Sequence, residues 1–327
     1  MQTQHPSSNK ASEMQAIVVA KYGASDVLNY VEKTPAPSPN AHQLLIRNRA
    51  SSVNPIDWKL RNGELRYIVP IKFPAILGFD YCGEIVAQGK DCKKFNVGDV
   101  VYGFSDERPG HAYAQYLCVD ENTAAAKPSS LNPTQAATVP LAALTAWQGL
   151  VSIAKLTKQA KVLICGASGG VGHFAVQIAL ALEAKVTVTA SPNNFPLLKN
   201  YGDIECIDYH QYALSKDTNA YDIILDTVGA LSAYEALDKL TSKGIYVSTL
   251  PYLSLFKAWL KSLLSQKKVR MVMVKPKSKD MLKLNELITK QAISPHIHET
   301  FALKEIAAAQ ELSEKGHAVG KIAIKID

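Results

Sequence analysis

Cysteine is sparse and scattered. Cys82, Cys92, Cys118, Cys165 and Cys206 lie nowhere closer than ten positions. That excludes C-x-x-C redox or zinc spacing and offers no disulfide framework. A reducing compartment is expected, and cytoplasmic is the location that follows. Long apolar runs are missing too: no stretch reaches the roughly 18 uninterrupted apolar residues of a membrane span. Residues 1–13, MQTQHPSSNKASE, have no arginine and no apolar run, so they resemble neither a signal nor a transit peptide. They read as a flexible extension, with order starting near Met14. Internal repeats and low-complexity tracts are also lacking.

What is present describes a globular protein. Of 327 residues 47% are hydrophobic and 20% charged, a length that predicts two domains. The net charge is +7, and nine Lys and Arg fall between Lys257 and Lys283. They interleave with Phe256, Trp259, Leu260, Leu263 and Leu264. An amphipathic helix making weak peripheral contact with anionic lipid, or a segment touching RNA, is one reading. A core-packing helix with a solvated cationic face is the favoured one, and no nucleic acid is expected as a partner.

The first 135 residues alternate short apolar runs with Gly, Pro and Asn. Strands are predicted at 16–20, 44–50, 83–87, 99–103 and 113–119, a largely antiparallel barrel or sandwich. No helix of useful length is read ahead of Pro133–Leu150. From there β and α patterns alternate: helix 141–150, strand 161–165, helix 171–183, strand 185–189, helix 195–201, strand 221–226, helix 232–240, strand 244–249, helix 253–264, strand 269–274 and helix 279–291. That is a doubly wound parallel sheet. A last strand over 321–326 suggests that the tail rejoins the first domain.

The pattern centres on Val162-Leu163-Ile164-Cys165-Gly166-Ala167-Ser168-Gly169-Gly170-Val171-Gly172. A buried strand, a glycine turn and an amphipathic helix follow in order, the context in which such a run binds a dinucleotide. Gly169 is expected to make the tight turn, Gly170 to let backbone approach the diphosphate, and Gly172 to pack helix on strand. The helix N-terminus supplies N–H groups to the anion, from Ser168 to Val171. Strand two ends Thr189-Ala190-Ser191-Pro192-Asn193-Asn194 with no carboxylate. A carboxylate there would take ribose hydroxyls and repel a 2′-phosphate, whereas Ser191, Asn193 and Asn194 can donate to one. NADPH is therefore favoured over NADH, although the same four residues also suit an ordinary turn.

Several ordered motifs carry a family resemblance: Asn54-Pro55-Ile56-Asp57-Trp58-Lys59, Lys72–Gly83, Val97–Val101, Pro140–Trp147, Ala167–Gly172, Ile207-Asp208-Tyr209, Tyr221–Gly229 and Gly320-Lys321-Ile322. The chain resembles the medium-chain dehydrogenase/reductase superfamily in its zinc-free quinone and enone (alkenal) oxidoreductase branch, and is similar to chloroplast-envelope quinone oxidoreductase-like proteins. The resemblance implies an α/β protein with a GroES-like β-barrel catalytic domain, residues 14–138 and 276–327. A Rossmann doubly wound domain over 139–275 binds NADPH. The 2′-phosphate grip maps onto Ser191–Asn194 and Tyr209, with asparagines where relatives often place Lys or Arg. Thr145, Thr249 and Lys321 join the cofactor contacts, and pairing through 269–274 gives a homodimer.

Zinc-dependent members place a Cys near position 54, a His-Glu pair near 79–80 and another Cys after the first domain. This chain has Asn54, Phe79-Asp80 and Leu141, so no metal is expected. His296-x-His298 alone is too few ligands. Without Lewis-acid help the acceptor must already be electron-poor: a quinone, or the C=C bond of an α,β-unsaturated carbonyl. Asn54 and Lys59 are the candidates for donating to its oxygen or to the nicotinamide ribose. Asp57 and Asp80 read as turn or cap carboxylates, and Tyr67 and Tyr113 as possible cleft walls. Tyr212-Ala213-Leu214-Ser215-Lys216 matches the Y-x-x-x-K of short-chain dehydrogenases, but it follows the glycines by only 40 residues and reads as coincidence. A catalytically idle NADPH-binding protein is the other class to weigh.

Overall fold

The computed structural model describes residues 12–211, 217–229, 231–251 and 253–327. Residues 1–11 of the expected extension and the Tyr212–Lys216 run lie outside them. Glu13 already belongs to the first strand.

The first part runs β1 (Glu13–Val19), β2 (Asn29–Pro35), β3 (Gln43–Val53), α1 (Pro55–Arg61), β4 (Ala75–Ile76), β5 (Asp80–Gln88), β6 (Val100–Phe104), β7 (Tyr116–Asp120), β8 (Ala124–Ala126) and α2 (Pro133–Ala137). β1 pairs antiparallel with β2 and β4. β3 is the long spine of a larger sheet, antiparallel to β5 and β7. Leu44, Ile46, Tyr81, Ile85, Val101 and Leu117 from its strands fill one core.

α1 corrects the expectation of no helix ahead of Pro133. Seven residues are too few for a periodic apolar face to show, and Asn-Pro reads as a turn. The signal is in the cap: Asn54 stands at the N-cap with Pro55 in the first turn, and Asp57 Oδ2 accepts the Asn54 N–H at 2.7 Å.

The second part runs α3 (Pro140–Trp147), which continues through a π-helical turn over Gln148–Ile153. Then follow β9 (Lys161–Cys165), α4 (Gly172–Ala181), β10 (Lys185–Ala190), α5 (Phe195–Lys199), β11 (Ile204–Asp208), β12 (Tyr221–Asp226), α6 (Ala233–Ala236), β13 (Leu240–Ser248), α7 (Leu253–Ser262), β14 (Lys268–Met271) and α8 (Ser278–Thr289). The sheet order is β11-β10-β9-β12-β13-β14, all parallel, with β9 at the centre. Both faces of β9 are buried, which explains its continuous apolar run. Val162 and Ile164 pack with Phe174, Ala175 and Ile178 of α4. Leu163 and Cys165 face the other way, onto Ala233, Ala236 and Ala258. β11, with its mixed Ile-Glu-Cys-Ile-Asp pattern, is the strand that periodicity does not reveal.

α7 departs from the favoured reading of a core-packed helix. Ala258 is buried, but Phe256, Trp259, Leu260, Leu263 and Leu264 are 40–92% exposed in α7 and just after it. The chain then returns through β15 (Ile297–Ala302), α9 (Ile306–Glu314) and β16 (Lys321–Lys325). β16 pairs parallel with β15 and antiparallel with β3, Ile322 opposite Val53. The tail thus joins the first sheet.

Candidate active site

The turn after β9 lies at the centre of the parallel sheet, where strand order reverses and ligands bind in such folds. Gly166, not Gly169, is the residue with positive φ (+74°), and a Cβ there would meet Val228 Cγ1 at 2.5 Å. Gly172 packs as expected: its Cβ would fall 2.1 Å from Gly166 O and 2.7 Å from Ala167 Cα. A Cβ at Gly169 meets only Gly166 O, at 3.4 Å, so the space above the turn is open. That opening beside the first turn of α4 suits a diphosphate, and a side chain would fill it.

The proposed 2′-phosphate residues gather at the neighbouring strand ends. Ser191 directly follows β10, and the Tyr209 N–H after β11 donates to Ala190 O at 3.3 Å. Asn194 Nδ2 donates to Ser168 Oγ at 3.0 Å, tying this loop to the glycine turn. Asn193 is exposed. Tyr209 is half exposed and stacks on His210 at 4.0 Å. Thr249, after β13, donates from Oγ1 to Thr227 O at 3.1 Å. Thr227 in turn bonds Cys165 O beside Gly166. These loops surround the glycine turn at the strand ends, the place where a nicotinamide dinucleotide lies in such a sheet.

A buried polar cluster lies next to the turn, and sequence spacing could not assemble it. Gly320 N–H donates to Ser168 O at 2.8 Å. The Lys321 side chain passes Gly170, whose Cβ would come within 3.2 Å of Lys321 Cδ. The side chain is 3% exposed, and its ammonium donates to Asn54 Oδ1 at 2.5 Å and Val53 O at 3.1 Å and lies 3.7 Å from Asp80 Oδ2. Asp80 is fully buried and accepts from Ser52 Oγ (2.5 Å), Asn54 Nδ2 (2.8 Å) and Leu141 N–H (2.8 Å) in the first turn of α3. Thr145 Oγ1 donates to Leu141 O at 2.7 Å, so it stands one turn from this contact. Burial lowers the Lys321 pKa, opposed by the charges of Asp80 and Asp57.

Asp57 is the second buried carboxylate. Besides the Asn54 N–H, its Oδ2 accepts from Tyr113 Oη at 2.8 Å, while Oδ1 has no partner among the described residues. Burial pushes its pKa up to about 7, against the pull of the Asn54 and Tyr113 hydrogen bonds. Both aspartates therefore cap helices, as expected, but from inside a shared network. Tyr113 is fully buried and Tyr67 86% exposed, so neither fits the cleft-wall reading. Lys59 stands apart from Asn54, because five positions on a helix turn a side chain by about 140°. Its ammonium lies 5.3 Å from the centre of the Trp58 ring.

Zinc does not fit here. Among the described residues no three His, Cys, Asp or Glu side chains converge. At the positions zinc would use stand the Asn54 amide and one carboxylate already holding three hydrogen bonds, with an ammonium beside them. His296 and His298 gain no third ligand among the described residues; the backbone N–H of His296 points to His173 Nε2 at 3.4 Å, and His298 Nδ1 accepts from Val319 N–H. Burial drops the His173 pKa to about 3.

A barrel-like antiparallel domain joined to a parallel nucleotide sheet, with a polar cluster between them, defines a two-domain dehydrogenase/reductase. Comparison with known proteins agrees. Residues 40–129 match the alcohol dehydrogenase GroES-like domain and residues 201–324 match the zinc-binding dehydrogenase family. The chain is 32% identical to a chloroplastic quinone-oxidoreductase homolog of Spinacia oleracea, covering 96% of this chain and 99% of the relative. It is 30% identical to the mitochondrial NAD(P)H oxidoreductase RTN4IP1 of Danio rerio, over 98% and 93%. The quinone oxidoreductase structure from Coxiella burnetii superposes with a TM-score of 0.87 at 32% identity, covering 96% of this chain and all of the other. The chain belongs to the medium-chain dehydrogenase/reductase superfamily, as an oxidoreductase. No helix among the described residues is long and apolar enough to cross a membrane. The plant and zebrafish relatives carry chloroplastic and mitochondrial names, so a cytoplasmic location finds no support in these similarities.

Proposed function

We propose that the protein is an NADPH-dependent, zinc-free reductase delivering hydride to quinones or to the C=C bond of α,β-unsaturated carbonyls. The reading rests on one juxtaposition. The glycine turn and the Lys321–Asn54–Asp80 cluster meet at Gly320 and Lys321, which touch both. The relatives named for quinone and NAD(P)H oxidoreduction support it. When bound, reduced nicotinamide supplies a hydride to the acceptor. The chain's own part is to hold the two reactants together, keep water out and stabilise negative charge growing on the acceptor's carbonyl oxygen. Asn54 is the amide donor for that oxygen. Ser191, Asn193, Asn194 and Tyr209 hold the 2′-phosphate, with Ser168–Val171 on the diphosphate. Bulk water can supply the final proton.

The deciding assay is NADPH oxidation with 9,10-phenanthrenequinone and a short alkenal, with a chelator present throughout. Turnover of either acceptor supports the proposal. NADPH binding without turnover supports the idle nucleotide-binding alternative, and activity lost to the chelator overturns the zinc-free reading. We also infer pairing of two copies through β14, the edge strand of the parallel sheet, flanked by exposed Trp259 and Leu263. Light scattering that returns the monomer mass of 35.6 kDa refutes it.

A further inference from the structure

A buried ammonium occupies the ground where zinc-dependent relatives keep their metal. We propose that Lys321 is a positioning residue supplying the fixed positive charge of the reductase site. It polarises the Asn54 amide, which then donates more strongly to the oxygen on which the acceptor's negative charge develops. The proposal rests on the reductase reading above and assigns a role that the cofactor-contact expectation for Lys321 does not contain.

Three observations argue for it. Lys321 opens a strand whose next three residues, Ile322, Ala323 and Ile324, are all buried, and a cation enclosed there is held only because Asp80, Asn54 and Val53 O are placed to pair with it. Its short contact is to Asn54 Oδ1 at 2.5 Å, whereas Asp80 is 3.7 Å away and already accepts three hydrogen bonds from other groups. Asp80 is thus its counter-ion across a longer gap, and the direct hydrogen bond goes to the Asn54 amide. Finally, the amide is fixed in one orientation: Oδ1 faces the ammonium and Nδ2 faces the Asp80 carboxylate. A proton-rich neighbour on the oxygen draws electron density from the nitrogen, and Nδ2 carries a second hydrogen beyond the one given to Asp80.

The chemistry balances without a bond to either residue. One hydride, a proton with two electrons, passes from the reduced nicotinamide to the acceptor, so the cofactor is oxidised and the acceptor reduced by two electrons. In an enone the C=C electron pair moves to oxygen as an enolate. In a quinone it becomes a hydroquinone anion. Water then supplies the proton. Lys321 and Asn54 only stabilise the anion.

The test compares Lys321→Met and Lys321→Ala with wild type on two acceptors, a short alkenal and 9,10-phenanthrenequinone. The alkenal's enolate is the more basic oxyanion and depends more on the donor. Expected, at saturating NADPH, is a fall in kcat of about 10- to 100-fold with the alkenal and a clearly smaller fall with the quinone, with KM for each acceptor within about threefold. NADPH affinity is read by fluorescence titration without acceptor. Ethylammonium should partly restore the Lys321→Ala variant. Should Lys321→Met fail to fold, the double variant Lys321→Met, Asp80→Asn removes both charges and must show the same acceptor-dependent loss. Equal losses with both acceptors, or a loss confined to NADPH binding, overturn the proposal. A wild-type protein inert to both acceptors overturns the reductase reading itself, and this one with it.

Discussion

Two glycines six to three residues past Gly166 give opposite expectations for the same small change. At Gly172 an added Cβ lands 2.1 Å from Gly166 O and 2.7 Å from Ala167 Cα, both backbone atoms with nowhere to move. Overpacking of that kind costs typically 1–3 kcal/mol, and a backbone clash sits at the upper end, about 3 kcal/mol. For a domain of this size that is roughly 6–12 °C in Tm. At Gly169 the Cβ meets only Gly166 O at 3.4 Å, an ordinary contact, and the residue has no positive φ. Gly169→Ala should therefore fold as well as wild type, or gain about 0.4–1 kcal/mol by restricting the unfolded chain. Its methyl group projects where the diphosphate is to lie, so NADPH affinity should fall at least about tenfold, or 1.4 kcal/mol. Thermal melts without ligand and a fluorescence titration with NADPH separate the two. A Gly169→Ala protein that binds NADPH as wild type does would remove the glycine turn from the site. An unchanged Tm for Gly172→Ala would refute the packing argument.

Other perturbations test neighbouring claims. Ser191→Asp puts a carboxylate where the 2′-phosphate is to bind and should shift preference toward NADH; an unaltered ratio of the two dissociation constants takes Ser191 out of the grip. Asp57 holds its proton in the folded state up to about pH 7, against 3.8 unfolded. Its stabilisation is present below pH 4 and lost as pH rises through 7, by something of order 2–4 kcal/mol. Asp57→Asn should flatten that slope in urea midpoints taken at pH 5 and 7.5, and a slope that persists argues against Asp57 as its source. The Arg61 guanidinium is buried and bonds Gln310 Oε1 at 2.9 Å, Gly23 O at 3.2 Å and Glu314, joining α1 to α9. Because Glu314 is one-third exposed and can turn to water, Arg61→Met should cost about 2–3 kcal/mol rather than the full penalty of a buried pair. A Tm within 2 °C of wild type, on the order of 1 kcal/mol or less, would contradict that.

Local features of the chain were legible wherever a physical constraint repeats within a few residues. β9 and α4 could be read because a strand buried on both faces must be apolar throughout, and a helix packed on it must keep one face so. The empty place for an acid after β10 was visible for a similar reason, since a ribose-binding carboxylate has a fixed distance from the glycines. α1 hid because its information is a cap of three residues rather than a period. The active-site cluster hid more deeply. Ser52 and Asn54, Asp80, Leu141 and Lys321 come from four separate segments, and nothing in their spacing announces a meeting. Resemblance pointed to Asn54 and Lys321 one at a time, but that one bonds the other is information held only in three dimensions. Likewise Gly166, not Gly169, takes positive φ, and the Val228 and Thr227 side chains that would meet a Cβ there come from about sixty residues further on.

The peptide between Val319 and Lys321 has a consequence for anyone handling this protein. Its Gly320 N–H reaches the nucleotide half, while the next side chain plugs the middle of the catalytic half. Deleting the last eight residues would strip out both at once, leaving Asn54 without its cation and Ser168 without its tether. Asp327, by contrast, has its side chain 84% exposed. An affinity tag can hang from that end at no cost to the machinery, but trimming even a short way inward from it removes a working part.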